Sequence, residues 1–175
     1  MTSHTDLNPS NARAGLVRSD HDAYVSTLPP APRPAGDYIP VTRAGNLLFT
    51  AGHTHAVCGS LSARGAMGSA RGPDLKTARE CARLAVRNCL ASLAHYLGGL
   101  RNVEGAVQMT GYVTAAPDFE LHPRVLDGAS EELVLAFGEQ GRPARAAVGV
   151  ASLPDGAVVE ISLVVAVAGL PASAG

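Results

Sequence analysis

Between Gly141 and Gly169 the chain carries two runs in which β-branched residues alternate with small or polar ones, joined by Leu153-Pro154-Asp155-Gly156-Ala157. Alternation with a period of two marks a strand with one covered face, and an Asp-Gly step between two such runs is a hairpin signal. The pattern predicts a β-hairpin turned at Asp155-Gly156, with Ala151 opposite Glu160 and Arg145 opposite Ala166. One face of that ribbon holds Arg145, Ala147, Gly149, Glu160 and Ser162. The other holds Val148, Val150, Val159, Ile161, Leu163, Val165 and Val167, as expected beneath helices.

Strand signals also appear at Asp37–Arg43 and Asn46–His53, turned at Ala44-Gly45, and at Val103–Thr114. From Asp74 the period becomes helical: Leu75, Ala78, Ala82, Ala85, Cys89, Leu93 and Leu97 recur at three and four, until Gly98-Gly99 stops the pattern. A second helix is predicted over His122–Phe137, with Gly138 as its stop. The order strand, strand, helix, strand, helix, strand, strand predicts an α+β fold, a mixed β-sheet with two helices on one face. Residues 1–35 lack a sustained period and end in Pro29, Pro30, Pro32 and Pro34, so they read as a partly disordered N-terminal extension. The domain is expected over 36–170, with 171–175 as a C-terminal tail.

Composition narrows the function. A chain of 175 residues is long enough for one domain with a substantial core, and 46% hydrophobic but only 4% aromatic residues imply a core of Ala, Val and Leu. A net charge of −1 gives no basic footprint, so no nucleic-acid partner is expected. No apolar stretch suits a membrane span and the first fifteen residues show no signal-peptide core, which leads to the expectation of a cytoplasmic protein without a membrane partner. Cys81 and Cys89 would stand about 12 Å apart along a helix, too far for a disulfide, and reduced, buried thiols are expected. Lys76 is the only lysine and falls in an exposed first helical turn, which argues against Schiff-base chemistry.

Two charges interrupt the small-residue strand face. Arg145 suits a bidentate carboxylate clamp or, equally, a structural ion pair. Glu160 suits water activation or a paired buried carboxylate. In the predicted hairpin they lie about 20 Å apart along the strands, so a small-molecule site using both needs a neighbouring subunit. His53, Thr54, His55 and Cys58 form a HxHxxC cluster, but no fourth ligand stands at matching spacing and no metal is expected. His53 reads instead as a polar group lining a pocket and able to move protons near neutral pH. No phosphate-binding glycine motif is present.

The sequences GRPARAAVGVASLPDGAVVEI, GDYIPVTRAGNLLFTAGHT and LDGASEELVLAFGEQGRPAR resemble the closing strands, opening strands and second helix of the RidA/YjgF family, the latter in a longer branch of it. The resemblance covers Pro29 to Gly169. It implies the chorismate-mutase-like fold, a homotrimer with sites in inter-subunit clefts, and hydrolysis of small enamines or imines to keto compounds and ammonia without a cofactor. By the same resemblance Arg145 anchors the substrate carboxylate, Glu160 handles the attacking water, Tyr38 stands at the site entrance and the Gly52 backbone amide holds the ligand carboxylate. Ala51 replaces a frequent serine, Ala147 a frequent cysteine, and no asparagine matches another site residue near Pro123. These smaller residues suit a bulkier ligand, and two alternatives follow: a biosynthetic enzyme steering condensation or cyclisation of a reactive imine or polyketide-like intermediate, or a non-catalytic small-molecule-binding regulatory module.

Overall fold

A computed structural model describes residues 18–169. Its elements in chain order are α1 (Arg18–Ser26), β1 (Val41–Ala44), β2 (Leu47–Thr50), β3 (His53–Thr54), α2 (Leu75–Leu97), β4 (Val103–Thr114), α3 (His122–Phe137), β5 (Ala144–Val150) and β6 (Val159–Val167). The strands form one mixed sheet in the order β1-β2-β6-β4-β5, with β3 also pairing β6. Helices α2 and α3 cover one face. Between them and the sheet lies the core, where Leu48, Met109, Val113, Ile161, Leu163 and Val165 meet the Ala and Leu stripe of α2 and Val125, Leu126, Ala129 and Leu133 of α3.

Helix α2 begins and ends where its capping chemistry dictates. Asp74 accepts the Thr77 backbone N–H at 2.7 Å and so satisfies a free donor at the start of α2; Gly98, at φ 71°, closes that helix in the left-handed conformation. The two helices also touch through backbone. A side chain at Gly128 would place its Cβ 2.2 Å from the Arg79 carbonyl oxygen, so glycine there sets the helix separation.

The predicted hairpin does not form. β5 runs parallel to β4 and β6 antiparallel to it, so β4 stands between the two runs that the Asp-Gly step seemed to pair. The reversal itself is present, since Asp155 and Gly156 both take positive φ, but residues 151–158 carry the chain across one strand rather than back along it. The reason is the unit before them. β4, α3 and β5 make a strand–helix–strand crossover, which joins parallel neighbours, and β4 then offers its second edge to β6.

This topology also separates the two charges by face. Arg145 shares a row with Met109 and Leu163, whereas Glu160 shares one with Tyr112 and Val148. Met109 and Leu163 lie buried beneath the helices, and Arg145 reaches Asp127 and Ser130 of α3, so Arg145 is on the helix side and Glu160 on the opposite side. The common face expected from the hairpin register is thereby overturned.

Within the segment read as an extension, α1 packs on the outside of α2 and α3. The Tyr24 hydroxyl donates to Glu132 Oε1 at 2.7 Å, and the Arg87 guanidinium lies 5.9 Å from the Tyr24 ring centre. Glu132 is 3% exposed and is held by Arg87 at 2.6 Å and Arg83 at 3.6 Å. The remaining extension residues, 1–17, and the tail 171–175 lie outside the described residues. Because Glu132 is buried, removing its nearest cation leaves its charge with only the more distant Arg83 and the Tyr24 hydroxyl to compensate it. Arg87→Ala is therefore expected to lower the unfolding free energy by about 3 kcal/mol in a denaturant titration, and Arg83→Ala by clearly less.

Candidate functional site

The β2–β6 ladder reaches Phe49 opposite Val164, and β3 rejoins β6 at His53 opposite Ile161 and Thr54 opposite Glu160. Between the two, the chain leaves the ladder. The Leu163 N–H donates to Thr50 Oγ1 at 3.0 Å, and the Ala51 N–H turns away to the Pro40 carbonyl at 2.8 Å. A side-chain hydroxyl thus substitutes for a missing backbone acceptor, which lets Ala51 and Gly52 bow out of the sheet. The Glu160 carboxylate lies over the gap. A Cβ at Gly52 would fall 2.0 Å from Glu160 Oε1 and 2.9 Å from its Cδ, so glycine is the residue that fits beneath this carboxylate.

Glu160 lines a cleft of about 890 Å³. Tyr38, Ala51, Gly52 and His53 line the same cleft, together with Thr54, Cys58, Asn88 and Asp155. Residues of the proline-rich segment 30–36 form another wall. Of the seven site residues expected from sequence, five therefore meet in one cavity. Arg145 and Ala147 do not, because they sit on edge strand β5 beneath α3.

The electrostatics of the cleft follow from burial. The carboxylate of half-buried Glu160 has no hydrogen bond or ion pair among the described residues, and desolvation pushes its pKa up from the ordinary range. His53 is 6% exposed and shares a hydrogen bond with Ser92 Oγ at 3.1 Å; burial lowers its pKa to about 4. Burial therefore favours its neutral imidazole near pH 7. It can still offer a hydrogen bond. The neighbouring His55 is fully buried with its ring nitrogens 3.0 Å from the Ala63 carbonyl and 3.5 Å from that of Val159.

Tyr38 is half-exposed and its hydroxyl oxygen accepts the Ala35 N–H at 3.2 Å, which leaves the phenolic proton available to a ligand. Asn88 donates from Nδ2 to the Thr54 and Ala56 carbonyls, each at 2.8 Å, and thereby pins the strand and loop that form the wall. Its polarity on the apolar face of α2, next to Cys89, was the available sequence signal. Burial raises the pKa of the Cys89 thiol to about 12, and that of Cys81 rises for the same reason. Cys58, by contrast, is exposed and takes a left-handed φ of 52°, against the expectation that all three thiols are buried.

On β5, Arg145 Nη1 donates to Asp127 Oδ1 and to Ser130 Oγ, each at 3.0 Å. Two strand spacings and three residues of register separate it from Glu160, roughly 10 Å in each direction. The two side chains also leave the sheet on opposite faces.

A family model described as endoribonuclease L-PSP matches residues 29–167, which span the cleft wall, all six strands and both helices of the covered face. The chain belongs to the RidA/YjgF family. Protein TCP17 of Trypanosoma cruzi is 34% identical over 155 residues, covering 87% of this chain and 94% of that protein. Among solved structures, the protein Atu1372 of Agrobacterium tumefaciens, of unknown function, shares 38% identity with a TM-score of 0.72, over 77% of this chain and 85% of that one. RidA from the Antarctic bacterium Psychrobacter sp. PAMC 21119 shares 28% identity with a TM-score of 0.53, over 78% of this chain and 94% of that one. The mixed sheet with helices on one face is thus the RidA/YjgF architecture, the chorismate-mutase-like fold expected from sequence. Among the described residues no helix is long and apolar enough to cross a membrane.

Proposed function

We propose that this RidA/YjgF chain is a hydrolytic deaminase, converting small carboxylated imines, and the enamines that tautomerise to them, into keto acids and ammonia. The observation that carries the reading is Glu160, a carboxylate with a raised pKa and no side-chain partner among the described residues, held over Gly52 in the cleft. Such a group takes a proton from water as it attacks the imine carbon, which breaks the C=N π bond and gives a carbinolamine. That proton goes to nitrogen to complete the carbinolamine. In a second transfer Glu160 takes the carbinolamine hydroxyl proton and passes it to the amine, so the C–N bond breaks and ammonia leaves as the carbonyl forms. Imine and water are balanced by keto acid and ammonia, and no cofactor is required.

The substrate carboxylate needs a cation, and in this reading Arg145 of a second copy supplies it at the mouth of the cleft. Two features support a site shared between subunits. Arg145 sits on an edge strand with one guanidinium nitrogen engaged by α3 and the rest of the fork open. The uncovered sheet face exposes Phe49 and Val148, apolar groups suited to burial against another subunit in a homotrimer. A small-molecule site also fits the charge better than an RNA groove, because Asp155 and Glu160 line the cleft with Arg33 as the cation.

The test is keto-acid release from freshly generated 2-iminobutyrate, measured above spontaneous hydrolysis, followed by subunit mixing. Arg145→Ala and Glu160→Gln proteins are expected to be inactive separately. Unfolded together in equal amounts and reassembled, they should regain about a quarter of parental activity, since that fraction of shared sites draws an intact arginine and an intact glutamate from different chains. A parent no faster than spontaneous hydrolysis sinks the deaminase reading; mixtures as inactive as their components sink the shared site.

A further inference from the structure

The cleft holds a cation that the reaction described above does not use. Six described arginines are held in ion pairs with carboxylates, and Arg43 and Arg64 donate to backbone carbonyls. Among the described side chains Arg33, Arg71 and Arg124 are left without a partner. Of these three, Arg33 alone lines the cleft that contains Glu160. Its position is not left to a loose loop, because Pro32 and Pro34 on either side each fix a backbone dihedral.

We propose that Arg33 is a second anion anchor in this cleft, selecting imino or keto acids that carry another acidic group beyond the carboxylate next to the reacting carbon. The inference rests on the deaminase reading and deepens it. Room supports it first: 2-iminobutyrate has seven non-hydrogen atoms, and the cleft that one chain forms, before a second copy closes its mouth, measures about 890 Å³. Charge supports it second. The other ionised side chains that this chain contributes to the cleft are Asp155 and Glu160, so a distal acid would meet repulsion everywhere except at Arg33. A guanidinium presents a planar fork that matches a carboxylate, the geometry a dicarboxylic ligand needs at its far end. Arg33 is a specificity-determining residue in this account and takes no part in the proton transfers at Glu160.

Calorimetric binding of two stable product-like keto acids separates the possibilities without requiring turnover. The full chain is expected to bind 2-oxoglutarate about fivefold more tightly than 2-oxobutanoate, the size of effect that a partly solvated ion pair supplies. Arg33→Ala should erase that preference and leave 2-oxobutanoate binding unchanged, Arg33→Lys should retain part of it, and raising the salt concentration should shrink it. Arg33 is exposed, so its replacement leaves the fold intact. Equal affinity for the two acids, or an equal loss of both in Arg33→Ala, overturns the second anchor while the deaminase reading stands. Binding of neither acid overturns the second anchor, and the deaminase reading is then decided by keto-acid release alone.

Discussion

Glu160→Gln is expected to slow keto-acid release by about 10²- to 10⁴-fold, the range contributed by a positioned acid–base group. Gln keeps the shape and the cleft contacts but can neither accept the proton of water nor return it to the departing amine. The same substitution should not weaken the fold. Burial raises the native pKa of Glu160 above its unfolded value, so the native state prefers the protonated form. A group of that kind favours folding most below its ordinary carboxylate range, and that contribution is lost as pH rises through the native value. At neutral pH the ionised group is therefore a mild liability, discounted because it is only half buried. The Gln variant should melt at the parental temperature or about 1–2 °C above it, with the difference closing in acid. The pH–rate profile of the parent should carry an acid limb displaced upward from the ordinary carboxylate range. Parental turnover in Glu160→Gln would remove Glu160 from the mechanism.

Gly52→Ala is expected to cost about 10²-fold in turnover through geometry alone. The added methyl would stand 2.0 Å from Glu160 Oε1, far inside contact distance, and the nearest atoms it meets all belong to the flexible end of that side chain. The fold can yield by swinging the carboxylate aside, so stability should change little. A displacement of about 1 Å at a group that must meet water and substrate together is enough to lose two orders of magnitude. Comparing this variant with Glu160→Gln is informative: Gly52→Ala retains a titrating carboxylate in the wrong place, so its residual activity should keep an acid limb. Unchanged turnover in Gly52→Ala would mean that the observed carboxylate position is not the working one.

Local chemistry made much of the fold readable. Asp74 and Gly98 bounded α2 because a cap and a left-handed stop act within one helical turn, and the apolar periods gave β4 and α3 their observed limits. The Asp-Gly step likewise forecast a tight reversal. It could not forecast partners, because which strand lies beside β6 depends on the β4–α3–β5 crossover and not on the turn. That single error put Arg145 and Glu160 on one face. The conclusion drawn from it, that one chain does not bring the two together, rests instead on their opposite faces and intervening strand. Helix α1 escaped notice because its docking uses Tyr24 and Glu132, residues 108 positions apart. Arg33 escaped because a proline-flanked arginine reads as a spacer until the segment is seen against Glu160.

The segment 30–36 is a tether with both ends fixed. On one side, Tyr24 is bound to Glu132, and the Arg87 guanidinium donates to the Thr27 carbonyl; on the other, the chain enters β1 and the sheet. Prolines between the two anchors give it little slack. Its position is therefore set at the outer surface of α2 and α3, well away from Glu160, and a change that loosens α1 is expected to widen the cleft.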